Sequence, residues 1–501
     1  MNRFVVNPKY QQLFEESSPY IFAAFLLYMA VHGVGLINAG FNVDDWSTFG
    51  RSSVWAALGR WGMSAYYKHI LLANFTESFQ IVAAFFIFAA ISFLLSRQIA
   101  GGKSYVAFMV IFSLGLSHPY WVDALNFSAH VTSNPLAILI SILAFQFALM
   151  PLGRGGYNAL LVVCGGLLLC ASLSIYQPYG SVGLLVPCLS ILDVGSVNKD
   201  RLIKILAMSI FVLLFGAIFY LFLYNLYFAL RPTAVENVRA GYVNLSEFFG
   251  KLHAFPKNLI VSVSAYQFNS TTYSALQFTL LTVAAFFCGV KTVGYLTKQR
   301  YFDSIRLVVG IVGALTVPFL GWFIITADYP HRALASISFV LAAVLCSLQL
   351  DVFPAIDLKT GSPRQSTIPV LLALTALSVL AGSIVCSKAW FEQYMVYERD
   401  KVLATSIVSA YALSARPGDR LVLVGERGYS DIQSHHSVGR SAFDASWSRM
   451  VIITKLIGEK HFSVSITNAT DFRHKCSEFP NPGSIVKTDG AVNVCLSSVA
   501  D

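Results

Sequence analysis

The chain has 501 residues, 56% of them hydrophobic and 14% aromatic but only 12% charged, against roughly 25% charged residues in soluble globular domains. So little polarity cannot cover so much apolar surface, which excludes a water-soluble globular fold. The formal net charge of +9 does not point to nucleic acid either, because Lys and Arg lie between apolar runs rather than in a stripe interleaved with aromatic residues.

In chain order, apolar runs occur near 19–40, 79–96, 101–117, 132–151, 158–175, 178–194, 203–228, 273–290, 307–326, 331–350 and 367–387. Most are close to the roughly 20 residues that a membrane-spanning helix needs. They predict an α-helical polytopic membrane protein of about eleven spans. The first run follows a polar stretch and precedes no small-residue cleavage site, so no cleavable signal is expected. With the N-terminus in the cytoplasm, the inner connections carry Arg97 and Lys103, then Arg154, then Lys199, Arg201 and Lys204. Lys291, Lys298, Arg300 and Arg306 follow, and finally Lys359 and Arg364. This is the positive-inside pattern. The outer connections are then 41–78, 118–131, 229–272 and the short turn 327–332, and everything after 388 lies outside, which in a bacterium is the periplasm.

Composition shifts beyond 388. An amphipathic helix around 389–413, the turn Ala415-Arg416-Pro417-Gly418-Asp419 and the strand-like run Leu421-Val422-Leu423-Val424 predict a small α/β domain over 388–501, following a membrane domain over 1–387. Cys164, Cys170, Cys288, Cys346 and Cys386 lie in apolar runs, where free Cys behaves as a small hydrophobe. Cys476 and Cys495 have polar surroundings and are candidates for a disulfide in an oxidising compartment. No CxxC or Cys/His metal spacing occurs, and no internal repeat is visible.

The candidate chemistry sits at the outer face. After the first span comes Asn42-Val43-Asp44-Asp45-Trp46, then Arg51, Gly59-Arg60-Trp61-Gly62 and Tyr66-Tyr67-Lys68-His69. Adjacent carboxylates raise one another's pKa, and one held at the membrane edge suits a general base for a sugar hydroxyl. The competing reading makes Asp44 and Asp45 a helix cap and Trp46 part of the aromatic belt. A second outer segment, Ser117-His118-Pro119-Tyr120-Trp121-Val122-Asp123, brings a His and a carboxylate to the same face, with Asn126, His130 and Asn134 close behind. His118 and Asp123 are candidates for binding an acceptor sugar or supporting the base, or else belong to a polar loop anchored by Tyr120 and Trp121.

In Thr326-Ala327-Asp328-Tyr329-Pro330-His331-Arg332 an outer arginine runs against the positive-inside tendency. A phosphate gripped by the guanidinium, or an ion pair with Asp328, accounts for it. Arg231 and Arg239 are weaker candidates of the same kind, and Tyr176-Gln177-Pro178-Tyr179 reads as a structural turn with interfacial anchors. Glu426-Arg427, His435-His436 and Asp444 match no metal spacing and read as a solvated surface that meets the acceptor.

This order of features resembles the C-type glycosyltransferase architecture. Within it, Asn42-Val43-Asp44-Asp45-Trp46, Gly59-Arg60-Trp61-Gly62 and Tyr120-Trp121-Val122-Asp123 are similar to the O-antigen glucosyltransferases of serotype-converting bacteriophages, over the chain through about 387. The resemblance implies an inner-membrane enzyme using undecaprenyl-phosphate-glucose, made in the cytoplasm by a donor synthase and flipped by a partner protein. Lipopolysaccharide O-antigen would be the acceptor on the periplasmic side. Asp44 or Asp45 would deprotonate the acceptor hydroxyl, the anomeric configuration would invert, and Arg332, Arg60 and Lys68, in that order, would receive the phosphate. No metal or other cofactor is obligatory in that scheme. The main rival is a transporter or flippase of lipid-linked saccharides, which would need charges near mid-membrane, where this chain has almost none. Two further rivals are a membrane acyltransferase built on His118, His130 and His331, and a C-type transferase that uses another sugar or acceptor.

Overall fold

In a computed structural model the described residues are 8–37, 45, 55, 58–71, 77–100, 105–127, 130–150, 159–192, 198–230, 241–326, 330–350, 367–416, 418–432, 437–457, 464–467 and 475–498. By their contacts they fall into two compact units. One comprises Met1–Leu36, Ser52–Leu125 and His130–Ser387; the other comprises Ile37–Arg51, Asn126–Ala129 and Lys388–Asp501.

The first unit is helical: α1 (Pro8–Ile37), α2 (Trp61–His69), α3 (Glu77–Ala100), α4 (Tyr105–Leu116), α5 (Tyr120–Leu125), α6 (Ser133–Leu149), α7 (Ala159–Ile175), α8 (Gln177–Gly180), α9 (Leu185–Leu192), α10 (Lys199–Leu230), α11 (Leu245–Ser264), α12 (Thr271–Thr297), α13 (Tyr301–Thr316), α14 (Leu320–Ile324) and α15 (Ile337–Leu350). Among the described residues seven helical segments are long and apolar enough to cross a bilayer: Ser17–Ile37, Ser78–Ile99, Lys199–Leu230, Thr271–Thr297, Tyr301–Ile324, His331–Leu348 and Leu372–Ser414. Four shorter apolar helical segments, Tyr105–Leu116, Ser133–Leu149, Ala159–Ile175 and Gln177–Leu192, coincide with the other four apolar runs of the sequence. The chain is therefore a polytopic membrane protein.

Several polar side chains inside these helices bond within the protein, as an apolar surround favours. Ser92, Ser113 and Ser209 each donate to the carbonyl four residues back, at 2.9, 2.6 and 2.7 Å. Ser172 Oγ on α7 donates to Ala137 O on α6 at 2.7 Å, and Tyr28 Oη on α1 donates to Ile81 O on α3 at 2.6 Å. Helices α7 and α10 approach closely because both carry glycine at the crossing. A Cβ on Gly216 would lie 2.9 Å from Leu169 Cβ and 3.0 Å from the Gly166 carbonyl oxygen, the small-residue packing typical of membrane helices.

The outer stretch 229–272, expected as a loop, contains α11. Its start is encoded locally: Asn244 accepts from the Glu247 N–H and Glu247 returns a bond to the Asn244 N–H, both at 2.9 Å. A second difference concerns α16 (Thr367–Ser414), which runs as one helix where the sequence suggested a span followed by a separate helix. Its apolar part ends near 387, and Lys388, Glu392, Glu398, Arg399, Asp400 and Lys401 follow without a helix breaker. The composition changes there without a change of backbone conformation.

The second unit holds a four-stranded sheet of β1 (Arg420–Val424), β2 (Val464–Thr467), β3 (Ile485–Thr488) and β4 (Ala491–Cys495) in the order β2-β1-β4-β3. Strand β1 is parallel to both β2 and β4, while β3 is antiparallel to β4. The central β1 reads as an unbroken apolar run because both its faces are covered. Leu421 and Leu423 pack with Val492, Val494, Phe443 and Ile452 and with Leu403 and Ile407 of α16, while Val422 and Val424 lie with Ala491, Cys476 and Cys495. Cys476 and Cys495 form a disulfide. Helix α17 (Ser446–Ile457) connects β1 toward β2.

Candidate active site

Three short helical turns come together in the first unit. Helix α5 packs on the 3-10 turn His331–Leu334, and α8 packs on the same turn. Each turn lies where two apolar runs meet, which is where polar residues are admitted. Pro119, without an N–H, separates α4 from α5. Tyr176 is extended, at φ −154° and ψ 106°, with Pro178 in the first turn of α8, and this separates α7 from α8. Helix α2 packs against α7, and Tyr66 Oη on α2 lies 2.7 Å from Thr132 Oγ1, at the residue before α6.

At the start of α2, the Arg60 guanidinium carbon stands 4.6 Å from the centre of the Tyr176 ring, a stacking geometry that suits the planar guanidinium. The Tyr176 ring lies 4.9 Å from that of Tyr179, and the Tyr179 hydroxyl donates to the Arg332 carbonyl oxygen. His130 is buried beside these groups, its ring 6.3 Å from Tyr176 and 5.9 Å from Trp55. Burial first, and then the positive fields of Arg60 and Arg332, hold the His130 imidazole well below its ordinary pKa. The ring is therefore neutral at pH 7, and the two arginines bear on one point of the molecule.

On the other side of α5, Tyr120 Oη donates to Gln267 Oε1 at 2.6 Å, and Gln267 Nε2 lies 2.8 Å from His331 Nε2. The His331 ring is tilted against Tyr120 at 5.3 Å. Asp123 is buried on α5. Burial pushes the Tyr120 hydroxyl up, and the charge of Asp123 adds to that rise. His118 has a more local part. Its Nε2 faces the carbonyls of Ser262 and Val263 at 3.0 and 3.3 Å, and its Nδ1 accepts from the Tyr120 N–H at 3.3 Å. Burial lowers it to about 4, so it stays neutral and ties α5 to the end of α11.

Of the residues singled out in the sequence, Arg60, Arg332, Asp123 and His118 lie in this unit on turns that pack together. Lys68 does not join them: it is exposed on the last turn of α2, about 12 Å along the axis from Arg60. Asp45 is buried and belongs to the second unit. Asp44, Trp46, Arg51, Arg231, Arg239, Asp328, His435 and His436 lie outside the described residues. In the second unit, Asp444 pairs with Arg440 at 2.7 Å, and Arg427 lies 3.3 Å from Glu478. Among the described residues no group of three or more His, Cys, Asp or Glu could hold a metal ion.

Tyr176, Gln177 and Tyr179 read from sequence as a turn with interfacial anchors, yet Tyr176 is 2% exposed and Tyr179 fully buried. Their one legible sign is a Gln and a Pro between two tyrosines at a break between apolar runs.

A search among individual curated proteins gives no match. The family profile described as glucosyl transferase GtrII matches residues 33–349. That span takes in Asp44, Asp45, Arg60, Asp123, His130, the Tyr176–Tyr179 turn and Arg332, and it ends before α16 and the C-terminal sheet. Since the match covers more than half of the chain and includes both arginines and the buried carboxylate, the chain belongs to the GtrII glucosyl transferase family and is a membrane-associated glucosyltransferase.

Proposed function

We propose that the enzyme moves glucose from undecaprenyl-phosphate-glucose to lipopolysaccharide O-antigen on the periplasmic side of the bacterial inner membrane, with inversion at the anomeric carbon. The observation that carries this reading is the Tyr176–Tyr179 turn, which meets the Arg60 guanidinium at one end and the Arg332 backbone at the other, and which packs, like α5 with its buried Asp123, on the His331–Leu334 turn. Two guanidiniums suit the oxygens of a phosphate monoester, whose negative charge grows as it leaves. The Cys476–Cys495 disulfide and the basic inner connections support an outer, oxidising location for the second unit. Eleven spans, counting the four shorter apolar helices, and the C-type architecture with a membrane domain over 1–387 and a periplasmic domain over 388–501 complete the proposal.

In this mechanism an acceptor hydroxyl gives its proton to Asp44 or Asp45 while its oxygen bonds to the anomeric carbon. The bond from that carbon to the phosphate oxygen breaks, and polyprenyl phosphate leaves with the electron pair. Arg60 and Arg332 stabilise the leaving phosphate, and Asp123 supports the acceptor. The donor reaches the site through a synthase and a flippase, and the arginines supply the charge that a metal would otherwise bring.

The test is glucose transfer from polyprenyl-phosphate-glucose to lipid-linked O-antigen in membranes holding equal amounts of wild type, Asp44→Asn, Asp45→Asn or Asp123→Asn. Wild type transfers, one variant of the acidic pair loses about 10²-fold or more, and Asp123→Asn keeps part of the rate. Full activity in both Asp44→Asn and Asp45→Asn would remove the pair from the mechanism. A wild type that transfers nothing from this donor would remove the donor.

A further inference from the structure

We infer that the turn Tyr176-Gln177-Pro178-Tyr179 is a clamp that fixes the Arg60 guanidinium and the Arg332 backbone relative to each other before the donor phosphate arrives. This rests on the proposed phosphate role of the two arginines and assigns what positions them.

Each of the turn's three functional side chains holds a different part of the arginine-bearing chain. Tyr176 lies under the Arg60 guanidinium at 4.6 Å. Gln177 Nε2 donates to the Leu58 carbonyl at 3.2 Å and to the Tyr220 hydroxyl at 2.9 Å, and Tyr220 in turn donates to the Gly59 carbonyl at 2.9 Å. The two carbonyls immediately before Arg60 are thus both tied down. Gly59 has φ +78°, and a Cβ there would sit 2.5 Å from Tyr220 Oη and 2.8 Å from Gln177 Nε2. The turn requires glycine both for its backbone conformation and for the space that the clamp occupies. At the other end of the four residues, Tyr179 donates to the Arg332 carbonyl. Tyr179 is itself fixed by full burial and by the Trp121 ring at 6.0 Å. Ser181 Oγ, just beyond α8, donates to Val317 O at 3.0 Å and anchors α8 from behind.

The physical gain is preorganisation. An arginine on a free loop loses rotamer freedom when it grips a phosphate, whereas one whose backbone and ring partner are already set loses less. Because leaving-group charge is greater in the transition state than in the bound donor, a loosened clamp should lower kcat more than it raises the KM for the acceptor.

The experiment is a set of double-mutant cycles on the full chain in membranes, read as glucose transfer from polyprenyl-phosphate-glucose and normalised to the monodisperse protein recovered from each preparation. Gln177→Ala and Tyr179→Phe should each lower kcat about 10-fold with the acceptor KM within a factor of two. Gln177→Ala placed in an Arg60→Lys background should cost less than a further 2-fold, since the residue it positions is already compromised. Tyr176→Phe, which keeps the ring face, should retain wild-type turnover, and Tyr176→Leu should not. If Gln177→Ala and Tyr179→Phe keep wild-type kcat, or the loss from Gln177→Ala multiplies fully with that of Arg60→Lys, the clamp is wrong while the phosphate reading stands. If Arg60→Ala and Arg332→Ala themselves transfer at the wild-type rate, both readings fall together.

Discussion

Two buried polar clusters, one in each unit, solve the burial of charge in opposite ways. In the second unit the Asp400 carboxylate is itself the object of every bond: it accepts from Ser441 Oγ and the Ala442 N–H, both at 2.6 Å, and from Tyr429 Oη at 3.0 Å. In the first unit the turn at 176–179 holds the chain that carries the charge, through the carbonyls of Leu58 and Arg332 and the face of Arg60. A carboxylate saturated by its own protein is built for structure. At the 176–179 turn the neighbours hold the Arg60 guanidinium by its face and Arg332 by its backbone carbonyl, an arrangement that fits the positioning role proposed above.

The comparison breaks first if the arginines are dispensable. Arg332→Ala and Arg60→Ala should each cut transfer about 10²-fold or more, the usual loss on removing a preorganised donor to developing negative charge, as measured by initial rates at equal protein. Next in size is the disulfide. Replacing Cys476 with Ser opens a covalent loop with a sequence separation of 19 and should destabilise the second unit by about 3 kcal/mol, measured as earlier protease cleavage after 388 with the membrane unit intact.

Asp400 sharpens the structural side of the contrast. Burial raises its carboxyl to about 6 from an ordinary value of 3.8, against the opposing pull of its three donors. The folded unit therefore binds a proton more readily than the unfolded chain between these values, so this group's contribution to stability is full below about pH 4 and is lost as pH rises through 6. The change is on the order of 2–3 kcal/mol. Thermal unfolding of the second unit in the full chain should shift down across that window, and Asp400→Asn should flatten the shift. A wild-type midpoint that climbs from pH 4 to 7, with Asp400→Asn climbing alike, would contradict this assignment. Least affected should be Lys68→Ala, which removes an exposed cation from the end of α2 and should change transfer by less than about 3-fold; a loss equal to that of Arg332→Ala would return Lys68 to the phosphate site.

The helices of the membrane unit were legible because hydropathy decides them residue by residue: the runs near 79–96 and 273–290 lie inside Ser78–Ile99 and Thr271–Thr297. Helix α11 was legible in principle through the Asn244-to-Glu247 capping box, but an amphipathic stretch between two spans reads equally as loop until its cap is noticed. The continuity of α16 was not legible, since a shift from apolar to charged residues after 387 reads as an element boundary although the backbone runs on through it. At the candidate site, Arg332 stood out because an outer arginine defies the charge rule, and Asp123 because it brings another carboxylate, with His118, to the same outer face. Tyr176 and Tyr179 were hidden by the same logic. Aromatic residues at a span's end look alike whether they face lipid headgroups or an arginine, and only the burial of their rings separates the two.

The most direct test of the central claim is the anomeric configuration of the glucose transferred from polyprenyl-phosphate-glucose of defined anomer, read from the one-bond carbon–proton coupling of the product. The account predicts the configuration opposite to the donor's. Retention of the donor's configuration, or transfer that occurs only from a nucleotide sugar, would contradict it.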